Sequence, residues 1–184
     1  MMNGMAQTNK DWMIKVDGKC RLFLKRKKYD VVEYTPYEYT QDNITYVSNL
    51  IRDNLSNRFL TIPPSHRRGH NPFFGLCVPA TFTLFYLMDT DLLEPMRGQD
   101  YDDEWHWWLR DINTEQRYDL TAEQFPNQDE LEKIYNSGKP SRFYGRPNGM
   151  PQKRFLDLLQ CVQPHSGRWT TDNPSYTPAI TLPM

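Results

Sequence analysis

The chain has 184 residues, of which 38% are hydrophobic and 14% aromatic, and a formal net charge of -1. This length supports one ordinary domain core that folds without disulfides or a structural metal. The balance of 22 basic against 23 acidic residues excludes a whole-surface footprint for nucleic acid or anionic membrane.

Mean hydropathy of -0.78 is low, but 5 Trp, 11 Tyr and 9 Phe are what an aromatic-heavy core requires and a disordered chain lacks. Met1 to Lys10 is polar and has no apolar h-region, so no secretory signal is expected there. Residues 11–25 form two alternating runs around Asp17-Gly18, the pattern of a hairpin, and residues 1–40 are expected to be a β-hairpin extension. Lys25-Arg26-Lys27-Lys28 reads better as a charged strand end than as a phosphate grip. From Thr40 to Leu55, the residues Ile44, Val47, Leu50, Ile51 and Leu55 share one helical stripe, with Thr40 or Asp42 as N-cap. Residues 61–72 carry Pro63, Pro64, Gly69 and Pro72 and read as a loop.

Cys77 opens the next helix, with Pro79 in its first turn, and Phe82, Leu84, Phe85, Leu87 and Met88 predict a buried central helix. Trp105–Asp111 and Arg117–Leu120 read as two strands about a turn at residues 112–116. Asn127 with Glu130 forms a capping-box pattern, and Gly138 stands where a helix ends. Phe155, Leu158, Leu159 and Val162 mark a last helix, so residues 41–163 form the expected α+β domain. Residues 164–184 carry four prolines and no period, and are expected to be an extended or disordered tail. The longest apolar run, Leu84 to Met88, is far short of the roughly 20 residues of a membrane span. Three cysteines, Cys20, Cys77 and Cys161, are odd in number and lack a C-x-x-C spacing, which fits reduced thiols in the cytoplasm.

Three of these residues have the types and order needed for nucleophilic chemistry. A thiol at a helix N-terminus faces unpaired backbone N–H groups and the positive end of the helix dipole, both of which favour a thiolate. The competing reading is that a free cysteine is a small buried hydrophobe. His106 and Asp119 lie on either side of the turn. A loop closing on Ile112-Asn113 sets 106 opposite 119, one closing on Asn113-Thr114 sets 106 opposite 121, and both leave imidazole and carboxylate on one face; a five-residue turn separates them. A carboxylate beside the imidazole fixes its tautomer and stabilises the imidazolium. Alternation places Trp105 and Trp107 on the opposite face, in the core, and Trp108 on the His106 face as a site-lining residue. His66 and His70 have helical spacing, but Gly69 and the prolines oppose a helix and no fourth ligand is evident, so neither metal nor other cofactor is expected. Arg142, Arg146, Lys153 and Arg154 suit either an anionic substrate or a solvated surface.

Gly75-Leu76-Cys77, His106-Trp107-Trp108-Leu109-Arg110 and Tyr118-Asp119-Leu120-Thr121-Ala122-Glu123-Gln124-Phe125 resemble the papain-like fold of the NlpC/P60 and transglutaminase-like enzymes. More closely, they are similar to a group of small phage and bacterial proteins with a Gly-x-Cys helix start, a His-Trp-x-x-Arg strand and an Asp-x-Thr-x-x-Gln-Phe strand end. The resemblance covers about residues 70–163 and includes a Gly-rich loop and basic helix at Arg142 to Phe155. It implies a central helix opened by Cys77 packed on an antiparallel sheet, with Cys77 as nucleophile, His106 as general base and acid, and Asp119 as orienting group. The Cys77 backbone N–H would contribute to an oxyanion site. No glutamine just before Cys77 supplies a papain-style donor, and His70 or Asn71 would have to substitute. Trp108, Gln124, Gly75, Arg142 and Arg146 are the expected substrate contacts; for Gln124 the competing reading is a bond to backbone at the strand end. The implied activity is a cysteine hydrolase or acyltransferase acting on an amide, isopeptide or thioester of a protein or peptide, in the host cytoplasm if phage-encoded. The competing class is a catalytically inactive binding module of the same fold.

Overall fold

The computed structural model describes residues 13–16, 18–24, 30–60, 71–141 and 153–163. Strands β1 (Met13–Val16) and β2 (Lys19–Leu24) pair antiparallel with Val16 opposite Lys19, which leaves a two-residue hairpin loop. A third strand, β3 (Asp30–Tyr34), pairs with β2, so the expected hairpin is part of a three-stranded sheet. Cys20 and Tyr34 are buried in the main core, which ties this sheet to the rest of the chain.

After β4 (Tyr37–Glu38) comes α1 (Gln41–Asn54), started by Thr40, whose hydroxyl accepts from the Asn43 N–H at 3.2 Å. Asp42 lies in the first turn, and Ile44, Val47 and Ile51 are the buried stripe. Helix α2 (Cys77–Leu87) is buried at every position but Val78. A helix apolar all round must be enclosed, and α2 packs against α1, against α4 (Lys153–Val162) and against the main sheet. Strand β5 (Met88–Asp89) continues directly from α2 and pairs parallel with β4.

The main sheet is antiparallel, with β6 (Leu93–Gln99) and β7 (Trp105–Asp111) at its centre, β8 (Arg117–Tyr118) on one edge and β9 (Lys139–Pro140) on the other. One face carries Leu93 and Leu109 into the core with α1, α2 and α4. The other face carries Met96 and Trp108 against Phe125 and against Leu131 and Ile134 of α3 (Gln128–Ser137). The chain therefore has a mixed α+β fold with helices on both faces of an antiparallel sheet. Among the described residues, no helix is long and apolar enough to cross a membrane. Residues 164–184 and Lys25–Lys28 lie outside the described residues.

Three expectations change. The second strand stops at Tyr118, so Asp119 and Leu120 are not strand residues. Asn127 does cap α3, but its Oδ1 accepts from the Asp129 N–H at 3.0 Å rather than from Glu130. Gly138 ends α3 with φ -64, so a left-handed cap is not what calls for glycine. Packing is: a Cβ there would lie 2.5 Å from two ring carbons of Trp108 and 3.0 Å from the Tyr135 carbonyl oxygen. Gly138→Ala should therefore destabilise the fold by about 1–3 kcal/mol, the usual cost of overpacking a rigid site. Urea unfolding checks this, and an unchanged midpoint would show that Trp108 yields freely.

Candidate active site

The site exists because β8 is short. Asp111 donates its N–H to the Gln116 carbonyl, so the odd-numbered backbone groups of β7 point toward the β8 edge. With β8 ending at Tyr118, the carbonyls of Trp105 and Trp107 need other partners. Helix α2 supplies them: the Thr81 hydroxyl donates to the Trp107 oxygen at 3.0 Å, and the Cys77 thiol to the Trp105 oxygen at 3.8 Å. The first residue of α2 is thereby brought alongside His106. The approach to Cys77 turns at Gly75, whose φ of +77 is the left-handed region that favours glycine. No side chain caps the start of α2.

The register pairs Leu109 with Tyr118 and Arg110 with Arg117, which sets 106 opposite 121 and leaves residues 112–115 as an even loop. Glu115, with φ +60, completes it. His106 and Asp119 consequently share a face, and His106 Nε2 donates to Asp119 Oδ2 at 2.5 Å with both side chains buried. Asp119 is fully engaged. Its Oδ2 also accepts from the Tyr135 hydroxyl at 2.8 Å, and its Oδ1 from the Thr121 N–H at 2.9 Å and the Thr121 hydroxyl at 3.3 Å. Burial penalises charge on both partners, and the pair overcomes that penalty. The His106 charge, the Thr121 N–H and the Tyr135 hydroxyl hold the Asp119 carboxyl below the ordinary range. Burial likewise opposes the His106 charge, but Asp119 and then Cys77 lift its pKa to about 9.

Gln124 completes the contacts of the ring. Its Nε2 lies 2.7 Å from His106 Nδ1 and 3.3 Å from the Thr121 hydroxyl. It thus bonds the imidazole, neither the backbone nor an open surface. Trp108 is on the His106 face as expected, but it is 1% exposed and stacks behind the ring at 5.8 Å, while Phe125 meets the ring edge at 4.8 Å. It is a backing wall and lines no open cleft. Trp107 is buried against Phe82, whereas Trp105, expected in the core, is 45% exposed with the Arg97 guanidinium 4.2 Å over its ring. Trp105 stands at the start of β7, where the core-facing side of the sheet has run past its cover.

Sequence reasoning missed the clamp around this site. Arg52 of α1 donates to the Leu120 carbonyl at 3.0 Å, binds both oxygens of Glu123, and lies 5.1 Å over the Phe73 ring. Asn71 Nδ2 donates to the Glu123 carbonyl at 2.9 Å while its Oδ1 accepts from the Phe73 N–H, so its amide is committed to this link and not to an oxyanion. The loop before Cys77 and the turn carrying Asp119 to Gln124 are held together by these two residues. A separate cavity of about 330 Å³ lies away from the thiol, lined by residues including Tyr39, Asp111 and Tyr118. His66, His70, Arg142 and Arg146 lie outside the described residues, and among the described residues no group of His, Cys, Asp and Glu could hold a metal. No family model, curated protein or solved structure matches the chain.

The pair has a pH signature. An unfolded histidine loses its proton near 6.5, while His106 holds it to about 9. Its contribution to stability is therefore complete below about 6.5 and is lost as pH rises toward 9. Asp119 works at the other end, its contribution present above about 3.9 and lost as pH falls. Urea unfolding should show stability falling by on the order of 1–3 kcal/mol between pH 6 and 9.5, with a clearly smaller fall in Asp119→Asn. Equal slopes in the two proteins would contradict the coupling.

Proposed function

We propose that this chain is a papain-like cysteine hydrolase or acyltransferase that acts on an amide, isopeptide or thioester bond of a protein or peptide through Cys77, His106 and Asp119. The observation that carries the reading is the buried His106 to Asp119 hydrogen bond at 2.5 Å, with the Cys77 thiol at a helix N-terminus beside the same ring. For stability alone, an apolar pair of similar volume would serve as well as a buried ion pair. Perturbed titratable groups of this kind concentrate where chemistry needs them.

In this reading, the Cys77 proton passes to His106 and the sulfur attacks the carbonyl carbon. The oxyanion is met by the backbone N–H at the start of α2. The imidazolium then protonates the leaving amine or thiolate as its bond to carbon breaks, which leaves an acyl thioester on Cys77. Water or an acceptor amine attacks this thioester while His106 takes its proton, and the thiol is restored. Asp119 keeps the imidazolium oriented throughout. The free thiols Cys20, Cys77 and Cys161 suit a reducing compartment, the host cytoplasm if the protein is phage-encoded.

One observation favours the second reading, an inactive binding module. Cys77 is only 5% exposed and its thiol is engaged by the Trp105 carbonyl. Thiol chemistry separates the two. Under the hydrolase reading, iodoacetamide at pH 6 alkylates Cys77 faster than a model thiol, Asp119→Asn slows this on the order of tenfold, one pKa unit of the base, and activated acyl donors leave an adduct on Cys77 in intact mass spectra. No adduct, together with model-thiol reactivity, would leave the binding module.

A further inference from the structure

Among the described residues, one buried carboxylate carries a charge that no side chain of opposite sign balances. Asp111 ends β7 and is 4% exposed; its Oδ1 accepts from the N–H groups of Asn113 and Thr114 at 2.8 Å, and its Oδ2 from the Tyr39 hydroxyl at 2.5 Å. Burial opposes the charge, but the Tyr39 hydroxyl and the two loop N–H groups hold the carboxyl below the ordinary range. The arginines nearest in sequence are committed elsewhere: Arg110 binds Glu94 and Glu115, and Arg117 binds Glu132 of α3. Alternation and the pairing of Arg110 with Arg117 set both on the other face of the sheet from Asp111. Dipoles alone therefore support this carboxylate, whereas a buried charge is ordinarily paired.

Asp111 also lines the cavity of about 330 Å³, at the end of β7 that lies roughly 20 Å along the strand from Trp105 and Cys77. No lysine or arginine lines it. Of its walls, Gln116 donates its Nε2–H to the Arg117 carbonyl at 3.1 Å, and Gln41 donates to the Thr45 hydroxyl at 3.3 Å, whose own proton goes to the Gln41 carbonyl. These bonds fix the nitrogen end of each amide and leave the oxygen end to accept. Tyr39 and Tyr118 add two ring faces, which attract cations. Thr40 and Thr114, the remaining lining residues, can donate or accept and set no preference. The positive end of α1 is met by the Thr40 hydroxyl and by Asp42. We propose that this cavity is a binding site for a primary ammonium, whose charge balances Asp111 and whose N–H groups meet the amide oxygens of Gln41 and Gln116 beside the two phenol rings. The volume admits a small amine or one lysine side chain, the same chemistry from two sources. The site is separate from Cys77 and stands under either reading of the thiol.

The test titrates ¹⁵N-labelled protein with n-butylammonium, with neutral n-butanol, with acetate and with Nα-acetyl-lysine N-methylamide. The two ammonium compounds should give saturable shifts of the Asn113, Thr114 and Gln116 backbone signals, and butanol and acetate should give none. Asp111→Asn keeps an oxygen for the loop N–H groups but removes the charge, so it should weaken butylammonium binding about tenfold, the loss of one charge-assisted hydrogen bond. Gln116→Leu, at an exposed position, should weaken it about threefold, and it decides the matter should Asp111→Asn fail to fold. Tighter binding of the lysine compound than of butylammonium assigns the site to a peptide, and the reverse order to a free amine; both sustain it. Shifts that never saturate, that butanol or acetate reproduces, or that no folded variant weakens overturn the proposal.

Discussion

A carboxylate and an imidazole share one hydrogen bond inside this protein, and much of the surrounding structure exists to make that bond tolerable. Asp119 and His106 are both buried, and an isolated charge there would cost several kcal/mol. The cost is met by full engagement of the carboxylate, through Thr121 and Tyr135, and by charge on its partner. Trp108 and Phe125 then close the ring off from the sheet and from α3. Gly138 is small because Trp108 needs the space. A chain of steric consequence thus runs from the end of α3 to the His106 ring.

The same bond explains the layout of the sheet edge. Were β8 to extend past Tyr118, its backbone would take the carbonyls of Trp105 and Trp107, and the start of α2 could not reach them. Ending the strand early does two things at once: it frees the chain to turn so that Asp119 bonds His106, and it opens the edge where Cys77 arrives. Arg52 and Asn71 keep those two arrivals in register, one from α1 and one from the loop itself. This dependence gives the site rigid supports on several elements, α1, α2, α3 and the turn after β8.

Much of this was legible in the sequence for identifiable reasons. The Thr40 cap, the Cys77 helix start with Pro79, and the period of Phe155 to Val162 are local signals, and each element stands where its signal lies. Alternation correctly put His106 and Trp108 on one face, and the loop parity that joins His106 to Asp119 was one of the open alternatives. Other features depend on tertiary context. Strand β6 carries Pro95 and Gly98, which local propensity disfavours, and it forms because β7 and β9 pair with it on either side. Trp105 alternates as a core residue, but it stands at the end of the strand, where the core no longer covers it. The Arg52 clamp joins residues about seventy positions apart, and no periodicity marks it.

The proton on His106 is the quantity to which Asp119, Cys77 and Gln124 all refer, so it offers the most direct measurement. A ¹⁵N titration of His106 in wild type and in Asp119→Asn reads it without any substrate. The wild-type ring should keep its proton well above 6.5, and the variant should surrender it at a clearly lower pH. Equal midpoints in the two proteins, or a wild-type midpoint at or below 6.5, would contradict the coupled His106 and Asp119 pair on which the geometry and stability of the site depend.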